Sequence, residues 1–312
     1  MSTGSVNLPV INAESAPRKR LPSWLKKRLP PGDELMKTQE LVRGLKLTTV
    51  CVEARCPNLV ECWSRGTATF MILGDRCTRR CGFCAINTQK PLPVEIDEPQ
   101  RLADAAAHLG LRHVVITSVA RDDLPDEGAT HFANCITAVR HKLPQSTVEV
   151  LVPDFHGKRE LIKIVTDARP EVFNHNIETV ARLQKAARPA ARYERTMDVL
   201  RIAKELCSQI QTKSGLMVGL GETRDEIRAT LRDLRDAGCD MLTIGQYLKP
   251  GDGHLEVNRY YTPQEFDELG EEARDMGFSA VASGPFVRSS YFAETLFAET
   301  DYLRVASAAN SA

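Results

Sequence analysis

From about residue 67 onward, short apolar runs rich in β-branched residues alternate with longer stretches of helical periodicity. No other feature constrains the fold as much. The runs are Thr69–Leu73, His113–Thr117, Val148–Val152, Val172–Asn174, Leu216–Leu220 and Met241–Ile244. Helical periodicity falls at 99–109, 128–143, 158–167, 194–210, 224–237 and 263–276. About six βα units imply a parallel sheet with helices outside it, because each parallel crossover needs a long connection to bring the chain back. A doubly wound sheet and a barrel, full or partial, are both compatible with this periodicity. At 312 residues the chain can bury a substantial core, as one large α/β domain with appendages or as two small domains.

Polar residues gather just past the ends of these runs. Ser118 and Arg121-Asp122-Asp123 come after the second, and Asp154 after the third. The fourth leads into His175, Asn176 and Glu178, the fifth into Gly221 and Glu222, and the sixth into Gln246 and Tyr247. Barrels of parallel strands build their sites at these C-terminal ends. Any strand-to-helix loop also needs polar residues for turns and caps. One such end therefore says little, and five on one sheet say more.

Before residue 49 the chain reads differently. Pro17, Pro22, Pro30 and Pro31 break any long element. Arg18-Lys19-Arg20 and Lys26-Lys27-Arg28 flank Trp24, either as a solvated arm or as a docking strip for an acidic partner. A short amphipathic helix is expected over 34–45. Basic and acidic side chains balance at 41 each, so there is no overall field for nucleic acid or an anionic membrane. No apolar run approaches the ~20 residues of a membrane span, and the N-terminus lacks a secretory pattern. The expectation is a cytoplasmic protein, where clustered cysteines bind metal or act in catalysis rather than form disulfides.

Six of the nine cysteines form two triplets. Cys51, Cys56 and Cys62 are spaced C-x4-C-x5-C, and Cys77, Cys81 and Cys84 are spaced C-x3-C-x2-C. Each triplet offers three thiolates. Structural zinc normally takes four protein ligands, and ferredoxin-type clusters bring a fourth cysteine. Cys135, Cys207 and Cys239 sit in or beside the expected helices without ligand spacing, as small core hydrophobes do. Three thiolates on an iron–sulfur cube leave one iron open to a substrate. The first triplet alone is also compatible with a zinc knuckle.

R-C-T-R-R-C-G-F-C, on the loop after the first strand, resembles the signature of radical S-adenosylmethionine enzymes. That resemblance implies a [4Fe–4S] cluster on Cys77, Cys81 and Cys84, with its free iron chelated by the amino and carboxylate groups of S-adenosylmethionine. One electron then cleaves the sulfonium to methionine and a 5′-deoxyadenosyl radical. Taken with V-E-A-R-C-P-N-L-V-E-C-W, the chain resembles the lipoyl synthase family. The similarity runs on through T-S-V-A-R-D-D-L, F-N-H-N-I-E-T-V, K-S-G-L-M-V-G-L-G-E-T, Q-Y-L-K-P, R-Y-Y-T-P-Q-E-F and V-A-S-G-P-F-V-R-S-S-Y. It covers roughly residues 20–295.

The family implies a partial (β/α)6 TIM-type barrel with N- and C-terminal extensions. The expected divisions are an arm over 1–48, an auxiliary cluster-binding extension over 49–66, the barrel over 67–285 and a C-terminal extension over 286–312. It also implies a second [4Fe–4S] cluster, held by Cys51, Cys56, Cys62 and Ser290 and consumed as the sulfur source. A serine oxygen is a harder ligand than thiolate, so that corner is the labile one. The implied reaction puts sulfur at C6 and C8 of a protein-bound octanoyl-lysine, using two S-adenosylmethionine. Implied partners are octanoylated lipoyl carrier domains (2-oxoacid dehydrogenase E2 or glycine cleavage H protein), reduced ferredoxin or flavodoxin, and an iron–sulfur assembly protein; a monomer is the simplest state.

By the same resemblance Phe83 packs near the adenine. Thr117, Ser118, Asp122 and Asp123 meet the amino end of S-adenosylmethionine, and Asn176 and Glu178 its ribose or carboxylate. Arg195 pairs with the carboxylate or is simply a surface cation, Arg288 gates Ser290, and His175 is a hydrogen-bonded pocket residue. Two positions depart from the family pattern: Glu127 stands where a second glycine is usual, and Glu256 where proline is usual. The alternatives are another radical sulfur-inserting enzyme, of the biotin synthase or methylthiotransferase kind, or a non-catalytic iron–sulfur or zinc protein.

Overall fold

The structure, a computed structural model, describes residues 21–27 and 33–300. Arg18, Lys19, Arg20 and Arg28 of the basic strip therefore lie outside the described residues, as does the end of the C-terminal extension.

Upstream of the sheet come α1 (Glu34–Gly44), α2 (Val50–Glu53) and α3 (Leu59–Trp63). The sheet then builds as β1 (Thr69–Ile72), α4 (Glu98–His108), β2 (His113–Ser118), α5 (Ala129–Lys142), β3 (Thr147–Leu151), α6 (Arg159–Asp167) and β4 (Val172–Asn174). It continues as α7 (Gln184–Ala187), α8 (Tyr193–Leu206), β5 (Gln211–Val218), α9 (Arg224–Asp236), β6 (Met241–Gln246), α10 (Pro263–Asp275) and β7 (Ala280–Gly284), followed by α11 (Ala293–Ala298). Each strand pairs in parallel with the next, in the order β1 to β7. Capping boxes start α9 at Thr223 with Glu226 and α10 at Thr262 with Glu265, satisfying N–H groups that a helix start leaves free.

Two elements differ from the sequence expectation. A seventh strand exists: Ala-Val-Ala-Ser-Gly is too small and short to stand out, but it completes the free edge of β6. And β5 begins at Gln211, not Leu216, because its polar first half faces the barrel interior. There Lys213 Nζ donates to both oxygens of Glu149, at 2.8 and 2.9 Å, and both side chains are fully buried. Asn174 Nδ2 donates to Glu149 at 3.0 Å, and the His113 ring lies 3.4 Å from it. A buried charge survives only when paired and hydrogen-bonded in this way.

The sheet does not close, since β1 pairs with β2 and β7 with β6 but not with each other. This is a partial barrel, and its seam decides where the first cysteine triplet goes. The Met71 N–H donates to the Thr48 carbonyl at 2.9 Å and Thr49 bridges Phe70 antiparallel, so the chain before α2 covers the bare edge of β1. That stitch brings α2 and α3, with Cys51 and Cys62, to the seam. At the lower end α11 places Leu296 and Phe297 against Val172, Met241 and Ala280. The Phe297 ring stacks on His113 at 5.5 Å.

Residues 284–291 run back through the barrel interior, and two glycines make room. A Cβ on Gly245 would sit 2.1 Å from the Val287 carbonyl oxygen. One on Gly215 would sit 2.7 Å from both Asn176 Oδ1 and Ser289 Oγ.

Candidate metal and cofactor sites

Cys77, Cys81 and Cys84 occupy the loop after β1, entered through a left-handed Leu73–Gly74 turn with φ of 68° and 90°. The loop is tied down on all sides. Thr78 N–H donates to the Ala120 carbonyl at 3.0 Å, Gly82 N–H to Ala187 at 2.8 Å, and Leu255 N–H to Gly82 at 2.8 Å. Cys77 Sγ accepts from the backbone N–H of Arg79 at 3.4 Å and of Ala120 at 3.3 Å. Arg79 is the anchor. Its buried guanidinium reaches Asp122 at 2.6 Å and Asp154 at 2.8 Å, binding the loop to the ends of β2 and β3. Burial pushes the Cys81 thiol up to about 11 and that of Cys84 to about 12, and the neighbouring Cys77 adds to both. Three half-buried sulfurs side by side would need positive charge among them to ionise together.

Around this loop the strand ends collect the expected polar residues, with differing freedom. Thr117 Oγ1 donates to the Leu151 carbonyl at 3.0 Å. Asp122 is held by Arg79 and Thr78, and Asp123 by Arg121. Ser118 Oγ, by contrast, is buried with no protein partner. Asn176 Nδ2 donates to Glu178 at 3.0 Å while its Oδ1 accepts from Ser289 at 2.8 Å. Burial raises the Glu178 carboxyl, with Arg188 opposing. Arg195 donates to Asp154 at 2.9 Å rather than lying on the surface as a solvated cation. Phe83 is half-buried beside Cys84. His175 is fully engaged, with Nδ1–H donating to the Val152 carbonyl at 2.8 Å and Nε2 3.3 Å from the Thr196 hydroxyl. Burial brings its pKa down to about 4.

Glu127, at the position where glycine is usual, keeps the left-handed turn at φ 50° and fills it with bonds to His156 and Lys158. Glu256 is exposed and pairs with Lys249.

Cys51, Cys56 and Cys62 come together at the seam. They line a cavity of about 390 Å³ with Arg288, Ser290 and Tyr291 and the start of β2. Burial pushes Cys62 up to about 12, with Cys51 and Cys56 adding to the rise. Burial lowers Arg288, whose charge is felt by Cys56 on one side and Glu178 on the other, so it stands between the two sites. Its Nη1 donates to the Val287 carbonyl at 2.7 Å. Lys27 does not belong to a free docking strip: it is paired with Glu61 at 2.6 Å, leaving Lys26 as the exposed described residue of that run.

Does the donor set fit iron–sulfur cubes? All six cysteines are free thiols. A single tetrahedral zinc would draw its sulfurs to roughly 3.8 Å of one another. Neither triplet brings its three sulfurs within 4.8 Å of one another, wider than a single zinc would hold them. Among the described residues one other set could hold an ion, namely Asp122, Glu127 and His156. Its carboxylates already hold Arg79 and Lys158, so it is balanced without one. Cys135 and Cys239 are buried core residues and Cys207 packs against the core.

Several site residues were not singled out from the sequence: Arg79, Asn58, Glu61, Arg188, Ser289 and Tyr291. Arg79 lies inside the cysteine loop, which was signal enough. Arg188 had none: its Nη1 donates to the Asn176 carbonyl at 2.8 Å and its charge reaches Cys81 and Glu178, contacts set by the turn around α7.

The profile of the radical SAM superfamily matches residues 71–234, and that of the N-terminal domain of lipoyl synthase matches residues 6–56. The chain is 59% identical over 272 residues to the lipoyl synthase of Rubrobacter xylanophilus, covering 87% of this chain and 85% of that one. It is 53% identical over 290 residues to the lipoyl synthase of Symbiobacterium thermophilum, covering 93% and 91%. Among solved structures it resembles HydG, a maturase of the [FeFe]-hydrogenase, with TM-score 0.53 at 14% identity over 81% of this chain and 63% of that one. It also resembles Streptococcus suis SuiB bound to S-adenosylmethionine, with TM-score 0.52 at 13% identity over 70% of this chain and 50% of that one. These two likenesses concern the fold alone.

Proposed function

The chain belongs to the lipoyl synthase family of the radical SAM superfamily, and on that premise we propose that it inserts sulfur at C6 and C8 of an octanoyl chain carried on a lysine of a lipoyl carrier domain. It is a sulfurtransferase that works with S-adenosylmethionine and two [4Fe–4S] clusters. Cys77, Cys81 and Cys84 would hold one cluster; Cys51, Cys56, Cys62 and Ser290 would hold the other. When bound, the clusters supply an electron for sulfonium cleavage and the sulfur to be inserted, because no side chain is basic enough to take a proton from an unactivated C–H bond.

The chain's own residues bind, orient and enclose. Ser118, with its unpartnered buried hydroxyl, meets the amino end of S-adenosylmethionine. Thr117 has its hydroxyl committed to β3 and contributes a wall. Asp122 and Asp123 act through Arg79 and Arg121, holding the loop. Asn176 and Glu178, steadied by Ser289, face the ribose or carboxylate. Arg195, oriented by Asp154, offers its remaining N–H groups to the carboxylate, and Phe83 packs at the adenine. Arg288 separates the two sites and gates Ser290.

The wider reading is a cytoplasmic monomer. It takes octanoylated domains of the dehydrogenase E2 or glycine cleavage H type, an electron from ferredoxin or flavodoxin, and renewal of the second cluster from an assembly protein. It has no nucleic-acid or membrane partner. The balanced charge gives no overall field for nucleic acid; among the described residues no helix is long and apolar enough to cross a membrane.

The observation that carries the proposal is the cavity where Ser290 joins Cys51, Cys56 and Cys62. The test is an oxygen-free assay with octanoylated carrier domain and a strong reductant. Reconstituted protein should hold about eight irons, as two four-iron clusters, and the carrier should gain two sulfurs by mass. Ser290→Ala should still form 5′-deoxyadenosine but fail to add sulfur. Protein that carries only zinc, or that thiolates a free small molecule and not the carrier, overturns the proposal.

A further inference from the structure

Among the described residues Ser290 makes no hydrogen bond of its own. It is placed by the segment on either side of it, and that segment is pinned to the short helix that carries Cys62. Asn58, the N-cap residue of α3 and 1% exposed, donates through Nδ2 to the Phe286 carbonyl at 2.7 Å. The Tyr291 hydroxyl donates to Glu61 Oε1 at 3.0 Å. Glu61 is the residue before Cys62. The two attachments therefore bracket Ser290 and refer it to the same helix as a cluster ligand.

Lys27 joins the brackets. Its ammonium donates to Glu61 Oε2 at 2.6 Å and also to Asn58 Oδ1. It lies 4.4 Å over the Phe286 ring and 5.0 Å from the centre of the Tyr291 ring, within cation–π range of both. Ser289, next to Ser290, is tied the other way, to Asn176.

We propose that Asn58, Glu61 and Lys27 form a clamp that positions Ser290 at the auxiliary site by gripping Phe286 and Tyr291. The clamp is built to release. Its charged members are partly exposed, at 22% for Lys27 and 24% for Glu61, so water competes for each contact. With Tyr291 freed from Glu61, the segment can slacken and Ser290 withdraw without disturbing the three cysteines. These are positioning residues, and the proposal rests on Ser290 being a cluster ligand.

The test tracks iron release to an external chelator from the anaerobically reconstituted full-length protein. In parallel, the electron-paramagnetic resonance of the reduced radical-site cluster with S-adenosylmethionine reports on the other site. Tyr291→Phe should quicken the labile phase of iron release about fivefold, the equivalent of one ordinary hydrogen bond, and leave the resonance unchanged. In a Ser290→Ala background Tyr291→Phe should add nothing, because the clamp acts through that serine. A wild-type release rate in Tyr291→Phe overturns the clamp, and so does equal quickening in both backgrounds. If Ser290→Ala alone leaves release unchanged, the ligand reading fails and the clamp with it. If only Ser290→Ala quickens release, the clamp alone fails. Should Tyr291→Phe not fold, Glu61→Gln, which breaks the Lys27 pair, carries the same comparison.

Discussion

The two cysteine triplets have similar composition and opposite construction. Cys77, Cys81 and Cys84 share one loop at a strand end, and buried ion pairs weld that loop to the barrel. Arg79 and Asp154 have side-chain exposures of 7% and 1%. Cys51, Cys56 and Cys62 sit on and between short helices outside the barrel. Their site is completed by a segment from the far end of the chain, held by partly exposed contacts. The first is rigid because its charges are desolvated. The second can open because its charges are not. A cluster that only delivers electrons suits the first, and one dismantled in use suits the second.

The largest effects should come from the cysteines. Cys81→Ala should abolish formation of 5′-deoxyadenosine, measured by chromatography. Cys56→Ala should keep that product and lose sulfur addition to the carrier. If Cys56→Ala also ends cleavage, the two sites are not independent and the comparison breaks.

Next come the ion pairs. Asp154→Ala leaves buried Arg79 with Asp122 as its remaining carboxylate and half-buried Arg195 with none, and should cost about 3 kcal/mol in urea unfolding. Lys27→Met, at the partly exposed clamp, should cost no more than about 1 kcal/mol. Equal losses would remove the contrast between welded and open.

Acid should find the radical side through His175. Its folded pKa, lowered from 6.5 to about 4, means the native protein refuses a proton that the unfolded chain accepts. Stability should therefore fall as pH drops from 6.5 toward 4 and level off below, by up to about 3 kcal/mol. His175→Gln should flatten that part of the curve. An unchanged slope would move the cause to other groups.

The most local effect is expected at the glycines that admit the C-terminal segment. Gly245→Ala drives a methyl group into the Val287 carbonyl, for about 1–3 kcal/mol. Its loss should appear as iron missing from the auxiliary site while S-adenosylmethionine cleavage continues. Both clusters failing together would show that the segment supports the whole barrel.

Much of this was legible in the chain. Short apolar β-branched runs and period-3.6 patterns placed β1 to β4, β6 and the long helices within a few residues. The first half of β5 was not legible, because Lys213 reads as solvent-facing until Glu149 is known to lie opposite it. Nor was β7, whose small residues carry no pattern.

The sequence by itself determined that the sheet is parallel, because strands alternating with long helical crossovers allow nothing else, and it grouped Cys77, Cys81 and Cys84, because a span of eight residues fits on one loop. The resemblance implied a partial barrel, but tertiary structure alone decided which strands border its seam and that the first triplet gathers there. It alone set Phe286 against Asn58, 228 residues earlier. Contacts at that range are fixed by how layers pack and which polar atoms remain to be satisfied, and local spacing carries no trace of either.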